Sequence, residues 1–112
     1  GFAWAKEHTH LRPFDFTGLE DVMAAWNKDG KPIYFTLDLD VLDPGFFPGT
    51  GTPEAGGVSF KELMKAIQLV MTGNVVACDV MELAPGLDMS GVSTATACKV
   101  VREMLLLWSA SK

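Results

Sequence analysis

Two apolar segments that lack polar alternation constrain the fold of this chain more than any other feature of its sequence. The first covers residues 33–37, directly after Pro32, and the second covers residues 74–80. Strands that are apolar on both sides are typical of parallel sheets, whose two faces are both covered by other elements. A helix predicted between the two segments provides the connection that parallel neighbours need. The pattern therefore predicts an α/β fold with a buried parallel sheet.

Three helices are predicted from apolar residues at helical spacing and from residues typical of helix ends. The predicted spans are residues 18–28, 60–72 and 93–108. Capping boxes are predicted at Thr17–Glu20 and Ser59–Glu62. The glycines predicted to end the first two helices are Gly30 and Gly73. The residues expected to face the core are Leu19, Val22, Met23 and Trp26, then Leu63, Ala66, Ile67 and Val70, and then Ala97, Val101, Met104, Leu105 and Trp108.

The chain is too short to supply a complete sheet of this kind. It has 112 residues and two predicted strands, whereas a buried parallel sheet needs more neighbouring strands than this. We therefore expect residues 1–112 to form the C-terminal part of one larger α/β domain whose upstream part is absent. Pairing with another copy of the chain is the alternative.

Composition limits the partners that we expect. The net charge of −5 argues against nucleic acid as a main partner, because phosphate backbones select basic surfaces. The same acidity permits a cationic substrate or a bound metal. The apolar runs fall far short of the roughly 20 residues that a bilayer span needs, so we expect no membrane partner. Cys78 and Cys98 are predicted to be buried thiols in a reducing compartment, which favours the cytoplasm, with a structural disulfide as the alternative.

Carboxylates follow both predicted strands at their carboxyl ends. Strand alternation places Asp38 and Asp40 on one face, and Asp79 and Glu82 lie at the end of the second strand. Ligands of open α/β sheets bind at this edge. Because like charges crowded together are unfavourable without a cation, the cluster favours a hard divalent ion such as Mn²⁺ or Mg²⁺. The alternative is that these acids cap turns and face solvent.

Other site motifs are weaker. The calcium-binding EF-hand pattern fails because Leu42 and Asp43 stand where it needs a polar residue and a glycine. His8 and His10 are metal ligands by type, but we expect them to be exposed or to cap a turn.

Two motifs resemble those of the ureohydrolases, the family of agmatinases and arginases. Residues 38–57 read Asp-Leu-Asp-Val-Leu-Asp-Pro-Gly-Phe-Phe-Pro-Gly-Thr-Gly-Thr-Pro-Glu-Ala-Gly-Gly, which is similar to the family signature. Residues 79–85, Asp-Val-Met-Glu-Leu-Ala-Pro, match the family's later strand and loop. The resemblance covers roughly residues 32–107, and residues 48–54 look more like agmatinases than arginases.

This resemblance implies a three-layer α/β/α fold with two Mn²⁺ ions at the carboxyl edge of the parallel sheet. Carried over by motif, Asp38 and Asp40 would be manganese ligands. Glu82 would hold the substrate guanidinium, and Thr52 would line that end of the site. Asp43 and Asp79 would orient the loop and the ligands.

The reaction implied by the resemblance is hydrolysis of a guanidino group, foremost of agmatine to putrescine and urea. Arginase activity, another guanidino-acid amidinohydrolase activity, and a non-catalytic binding or structural subunit are the alternatives. The family takes its other metal ligands from an upstream histidine and an Asp-x-His-x-Asp motif, which this sequence lacks. We therefore expect the isolated chain to be inactive, and the resemblance implies a homo-oligomer, a trimer or hexamer, in the intact protein.

Overall fold

The computed structural model describes residues 1–13 and 15–111 of the chain. Its main elements, in order, are α1 (Phe2–His8), α2 (Leu19–Asp29), β1 (Ile33–Asp38), α3 (Phe60–Val70), β2 (Val75–Met81) and α4 (Val92–Ala110). Short 3-10 helices follow each strand, at Leu39–Val41 and Pro85–Leu87. The predicted order of helices and strands is therefore confirmed. α1 was not predicted, because none of its residues is buried and it carries no core-facing stripe.

The two strands are parallel neighbours. β1 and β2 pair in register from Ile33 opposite Val75 to Asp38 opposite Met81, with one irregularity between Ile33 and Tyr34. Both strands therefore end at the same edge of the sheet, as the sequence predicted. This edge carries the loops on which the candidate site residues lie.

One core lies between one face of the sheet and helices α2, α3 and α4. Its most deeply buried members include Met23, Leu39, Leu42, Phe47, Leu63, Ile67 and Val100. The opposite face of β1 carries Tyr34, Thr36 and Asp38, which are exposed. Among the residues described, helices thus contribute core side chains to a single side of the sheet. No helix in this part of the chain is both long and apolar enough to cross a bilayer.

Of the two predicted capping boxes, one is present in the structure and the other is not. At α3, Ser59 and Glu62 form the predicted box, with Ser59 N–H donating to Glu62 Oε2 at 2.7 Å. At α2 the N-cap is Gly18, without a side-chain cap, and the box between Thr17 and Glu20 does not form. The reason is that Phe16 and Gly18 both have left-handed backbones, which moves the helix start past Thr17.

The buried face of α4 also differs from the prediction. Ser93, Ala97, Val100 and Met104 are buried, whereas Val101 and Leu105 are exposed. α4 is apolar around much of its circumference, so spacing alone could not identify the side that packs. Cys98 on the same helix is exposed, Cys78 is half-buried, and both thiols are free. The expectation of two buried thiols is therefore wrong for Cys98, and no disulfide forms.

Candidate active site

Asp38 and Asp40 lie in different local structures. Asp38 is the last residue of β1 and is exposed, whereas Asp40 lies in the 3-10 turn that follows. The expectation that strand alternation places both side chains on one face is therefore wrong. The turn forms because Leu39 and Leu42 are both buried, at 0% and 1% exposure, which a continued strand would not achieve for residues three apart. Asp40 becomes half-buried.

Thr52 contacts Asp40 directly. Its hydroxyl donates to Asp40 Oδ2 at 2.8 Å across twelve residues of sequence. Asp40 also lines a cavity of about 330 Å³ together with Glu54 and the backbone around Gly57. The structure therefore brings together one predicted metal ligand and the predicted site-lining threonine.

Asp43 closes the loop that carries Thr52. Its carboxylate accepts from the backbone N–H of Gly45 at 2.8 Å and from that of Gly56 at 2.9 Å. These backbone hydrogen bonds lower the pKa of Asp43, because they favour the charged carboxylate. The loop is further held where Val58 pairs with Leu42. Asp43 thus organises the loop, in agreement with the orienting role that the resemblance implied.

Glu82 lies at the same sheet edge as Asp38. It directly follows Met81, the residue that pairs with Asp38. Its side chain is exposed, and its backbone has a φ of 71°, which is uncommon for a residue with a Cβ. Asp38 and Glu82 are therefore not placed on opposite borders of the molecule, an arrangement that would have contradicted a shared site.

Asp79 has a different environment. It pairs with Thr36 within the sheet, two positions before the edge, so the expectation that it lies at the carboxyl end of its strand is wrong. Its carboxylate accepts from Thr36 Oγ1 at 2.7 Å and from the hydroxyl of Tyr34. The hydrogen bond from Tyr34 lowers the pKa of Asp79 most, and the bond from Thr36 lowers it further. The hydrogen bond to Asp79 also raises the pKa of Tyr34. These contacts give Asp79 a structural role on the exposed sheet face.

Sequence reasoning missed two residues beside the site loops, Asp88 and Ser93. The Asp88 carboxylate accepts from Ser90 and from the backbone of Ser93 at the start of α4. Aspartate favours turns because its carboxylate can accept from the backbone N–H two residues on, and this signal could have located Asp88. No comparable signal identifies the Ser93 hydroxyl, because the Gly49 N–H that it accepts from lies 44 residues away.

The contacts recorded for the two histidines are with residues of α1 and α2. His8 and His10 are exposed, and His8 Nδ1 lies 2.9 Å from the backbone carbonyl oxygen of Trp4. This agrees with the expectation for exposed or turn-capping histidines.

The donor chemistry fits a metal in part. Carboxylate oxygens such as those of Asp38 and Asp40 suit Mn²⁺ or Mg²⁺. Within residues 1–13 and 15–111, however, no group of three or more acidic, histidine or cysteine side chains is arranged to hold an ion. Asp38 and Asp40 therefore stay predicted ligands, without a third such side chain arranged beside them in the described residues.

Comparison with known proteins gives consistent matches. The sequence profile of the Arginase family matches residues 4–107. The chain is 52% identical over 111 residues to an agmatinase of Halalkalibacterium halodurans and 46% identical over 110 residues to one of Bacillus anthracis. Each alignment covers 96% of this chain and 38% of the relative, so the chain spans well under half of their length.

A solved structure gives the same result for the fold. The proclavaminate amidino hydrolase of Streptomyces clavuligerus superposes with a TM-score of 0.88 at 29% identity. The superposition covers 100% of this chain and 39% of that one.

Proposed function

This chain belongs to the arginase family, and we propose from that membership that it forms the C-terminal part of a ureohydrolase domain. The proposed reaction is hydrolysis of the guanidino group of agmatine to putrescine and urea. The observation that carries the proposal is the common sheet edge of Asp38 and Glu82, beside which Thr52 bonds Asp40. The proposal concerns the intact protein that contains this chain.

Asp38 and Asp40 are the proposed manganese ligands in this chain. Two Mn²⁺ ions, when bound, supply the Lewis acidity that makes water nucleophilic near neutral pH. Thr52 donates its only hydroxyl proton to Asp40 and so holds that carboxylate in one orientation. The remaining ligands would come from outside the described residues.

Glu82 and Thr52 are the proposed substrate contacts. A guanidinium is a planar cation with N–H donors that match the two oxygens of a carboxylate, and the exposed Glu82 carboxylate suits this role. Because the Thr52 proton points to Asp40, its oxygen lone pairs remain available to accept an N–H of the same cation. The chain's net charge of −5 also favours a cationic substrate over an anionic one.

The proposal extends to the setting of the intact protein. We place it in the cytoplasm as a homo-oligomer, a trimer or hexamer, without a nucleic-acid or membrane partner. The two free thiols are in keeping with a reducing compartment.

The test is urea release by the intact protein with added Mn²⁺, using agmatine, arginine and guanidinobutyrate as substrates. We expect kcat/KM to be highest for agmatine. A preference for arginine or guanidinobutyrate would assign one of the alternative amidinohydrolase activities instead. Absence of urea from all three substrates would favour a non-catalytic subunit and overturn the proposal.

Replacing Glu82 with glutamine is expected to weaken substrate capture. The substitution keeps the shape of the side chain and removes the charge that pairs with the guanidinium. A hydrogen bond to a charged group contributes about 1.5–3 kcal/mol, so kcat/KM for agmatine should fall about 10- to 100-fold. Manganese content, measured by elemental analysis, should stay near that of the wild type. Glu20→Gln on α2 is the matched control, and loss of manganese in Glu82→Gln would move Glu82 into the ligand set.

A further inference from the structure

A buried serine hydroxyl joins α4 to the loop that carries Thr52. Ser93 has no exposed surface, and its Oγ accepts from the backbone N–H of Gly49 at 2.7 Å. The approach is so close that a Cβ on Gly49 would lie 2.7 Å from Ser93 Cβ and 2.8 Å from its Oγ. A side chain at position 49 would therefore force either the Gly49 loop or the start of α4 to shift.

The other polar backbone group of Gly49 contacts the loop that carries Glu82. Gly49 O accepts from the backbone N–H of Ala84 at 2.8 Å. Ala84 lies two residues after Glu82, and Gly49 lies three residues before Thr52. One glycine therefore connects the two loops, and Ser93 holds that glycine.

Ser93 is itself held in place by Asp88. Asp88 Oδ2 accepts from Ser93 N–H at 2.7 Å, while Oδ1 accepts from the backbone and the hydroxyl of Ser90 at 2.9 and 2.6 Å. Side-chain hydrogen bonds from Ser90 and Ser93 hold the pKa of Asp88 far below its usual range. Asp88 therefore holds the backbone of Ser93, and the Ser93 hydroxyl in turn accepts from Gly49.

We infer that Ser93 is a positioning residue, which places Thr52 relative to Glu82 by holding Gly49 between their loops. The inference rests on the proposed function, since it concerns the geometry of the same site. Ser93 acts through Gly49. The hydrogen bond from Ala84 N–H to Gly49 O then links the position of Gly49 to the Glu82 loop.

Removing the hydroxyl should move the Gly49 loop. In Ser93→Ala the buried Gly49 N–H loses its acceptor, and a buried donor without a partner is unfavourable. A displacement of about 1 Å at an active site can lower the rate about 100-fold. We expect kcat/KM for agmatine to fall about 10- to 100-fold, and amide exchange over residues 45–55 to become faster.

A double-mutant cycle with Thr52→Ala separates positioning from general stability. If Ser93 acts by placing Thr52, the Ser93→Ala loss should shrink to less than about threefold once Thr52 is already alanine. Ser59→Ala is the matched control, because it removes a serine at the start of another helix. It should lower thermal stability while leaving kcat/KM and exchange over residues 45–55 unchanged.

The wild-type intact protein is first assayed for turnover of agmatine, and the cycle is measured afterwards on the same protein. Lack of wild-type turnover would contradict the proposed function, whereas the cycle tests the role of Ser93. Equal losses from Ser93→Ala in both backgrounds, or wild-type kinetics together with lowered stability, would overturn the inference. If Ser93→Ala does not fold, Asp88→Asn takes its place. It weakens the bonds that hold Ser93, so kcat/KM should fall about three- to tenfold, again with little further loss in Thr52→Ala. An unchanged kcat/KM in Asp88→Asn would count against the inference.

Discussion

Alanine in place of Asp40 is expected to lower kcat/KM for urea release from agmatine by at least about a thousandfold in the intact protein. Lewis-acid stabilisation by a metal ion contributes several kcal/mol to a transition state, and each 1.36 kcal/mol is a factor of ten in rate. The substitution also removes the acceptor of the Thr52 hydroxyl, so the proposed substrate contact of Thr52 loses its orientation at the same time.

Metal content distinguishes this expectation from simple misfolding. Asp40→Ala should bind less manganese by elemental analysis while keeping a far-ultraviolet circular dichroism spectrum like that of the wild type. Asp21→Ala, which removes an exposed acid from α2, should retain both metal and activity. Agmatine turnover by Asp40→Ala within about tenfold of the wild type would remove Asp40 from the ligand set, since loss of even an outer-shell partner can have an effect of that size.

Of all these substitutions, alanine in place of Gly57 is expected to lower the free energy of unfolding the most. A Cβ there would lie 2.5 Å from Asp43 N, 2.6 Å from Val41 O and 2.7 Å from Leu42 C. All three are backbone atoms, so no side-chain rotation can relieve the contact. Two hydrogen bonds use the same backbone: Val58 N–H donates to Val41 O, and Asp43 N–H donates to Val58 O, each at 3.0 Å. We expect a loss of about 3 kcal/mol or more, at the upper end of overpacking effects.

Thermal unfolding of the intact protein measures this loss. The midpoint for Gly57→Ala should fall by at least about 5 °C. Gly86→Ala is the matched control, because nothing lies within 4 Å of its Cβ position, and its midpoint should stay near that of the wild type. A Gly57→Ala protein as stable as Gly86→Ala would show that the chain segment around Asp43 can move aside.

The parts of the fold that the sequence predicted correctly depend on local signals or on one simple rule. The capping box at Ser59 and Glu62 involves neighbours three residues apart, and the glycine stop at Gly30 has the left-handed backbone that such stops need. The parallel pairing of β1 and β2 followed from two non-alternating apolar segments joined by a helix. From this pairing alone, Asp38 and Glu82 could be placed at one edge.

The parts that could not be predicted depend on which side chains become buried together. Asp40 leaves strand geometry because Leu39 and Leu42 both enter the core, and neither residue alone indicates the turn. The contact between Ser93 and Gly49 joins positions 44 residues apart and has no local pattern. For α4, apolar residues on several sides made Val101 and Leu105 as plausible as Val100, and only packing against the sheet distinguishes them.

Because the backbone at Glu82 is left-handed, thermal stability and catalytic activity favour different residues at this position. At φ 71° a glycine or asparagine would relieve conformational strain of about 1 kcal/mol or more, and a variant library screened only for heat resistance should enrich such replacements at this position. Each of them would discard the carboxylate that we propose binds the guanidinium. A screen that also demands turnover should instead retain glutamate despite its unfavourable backbone.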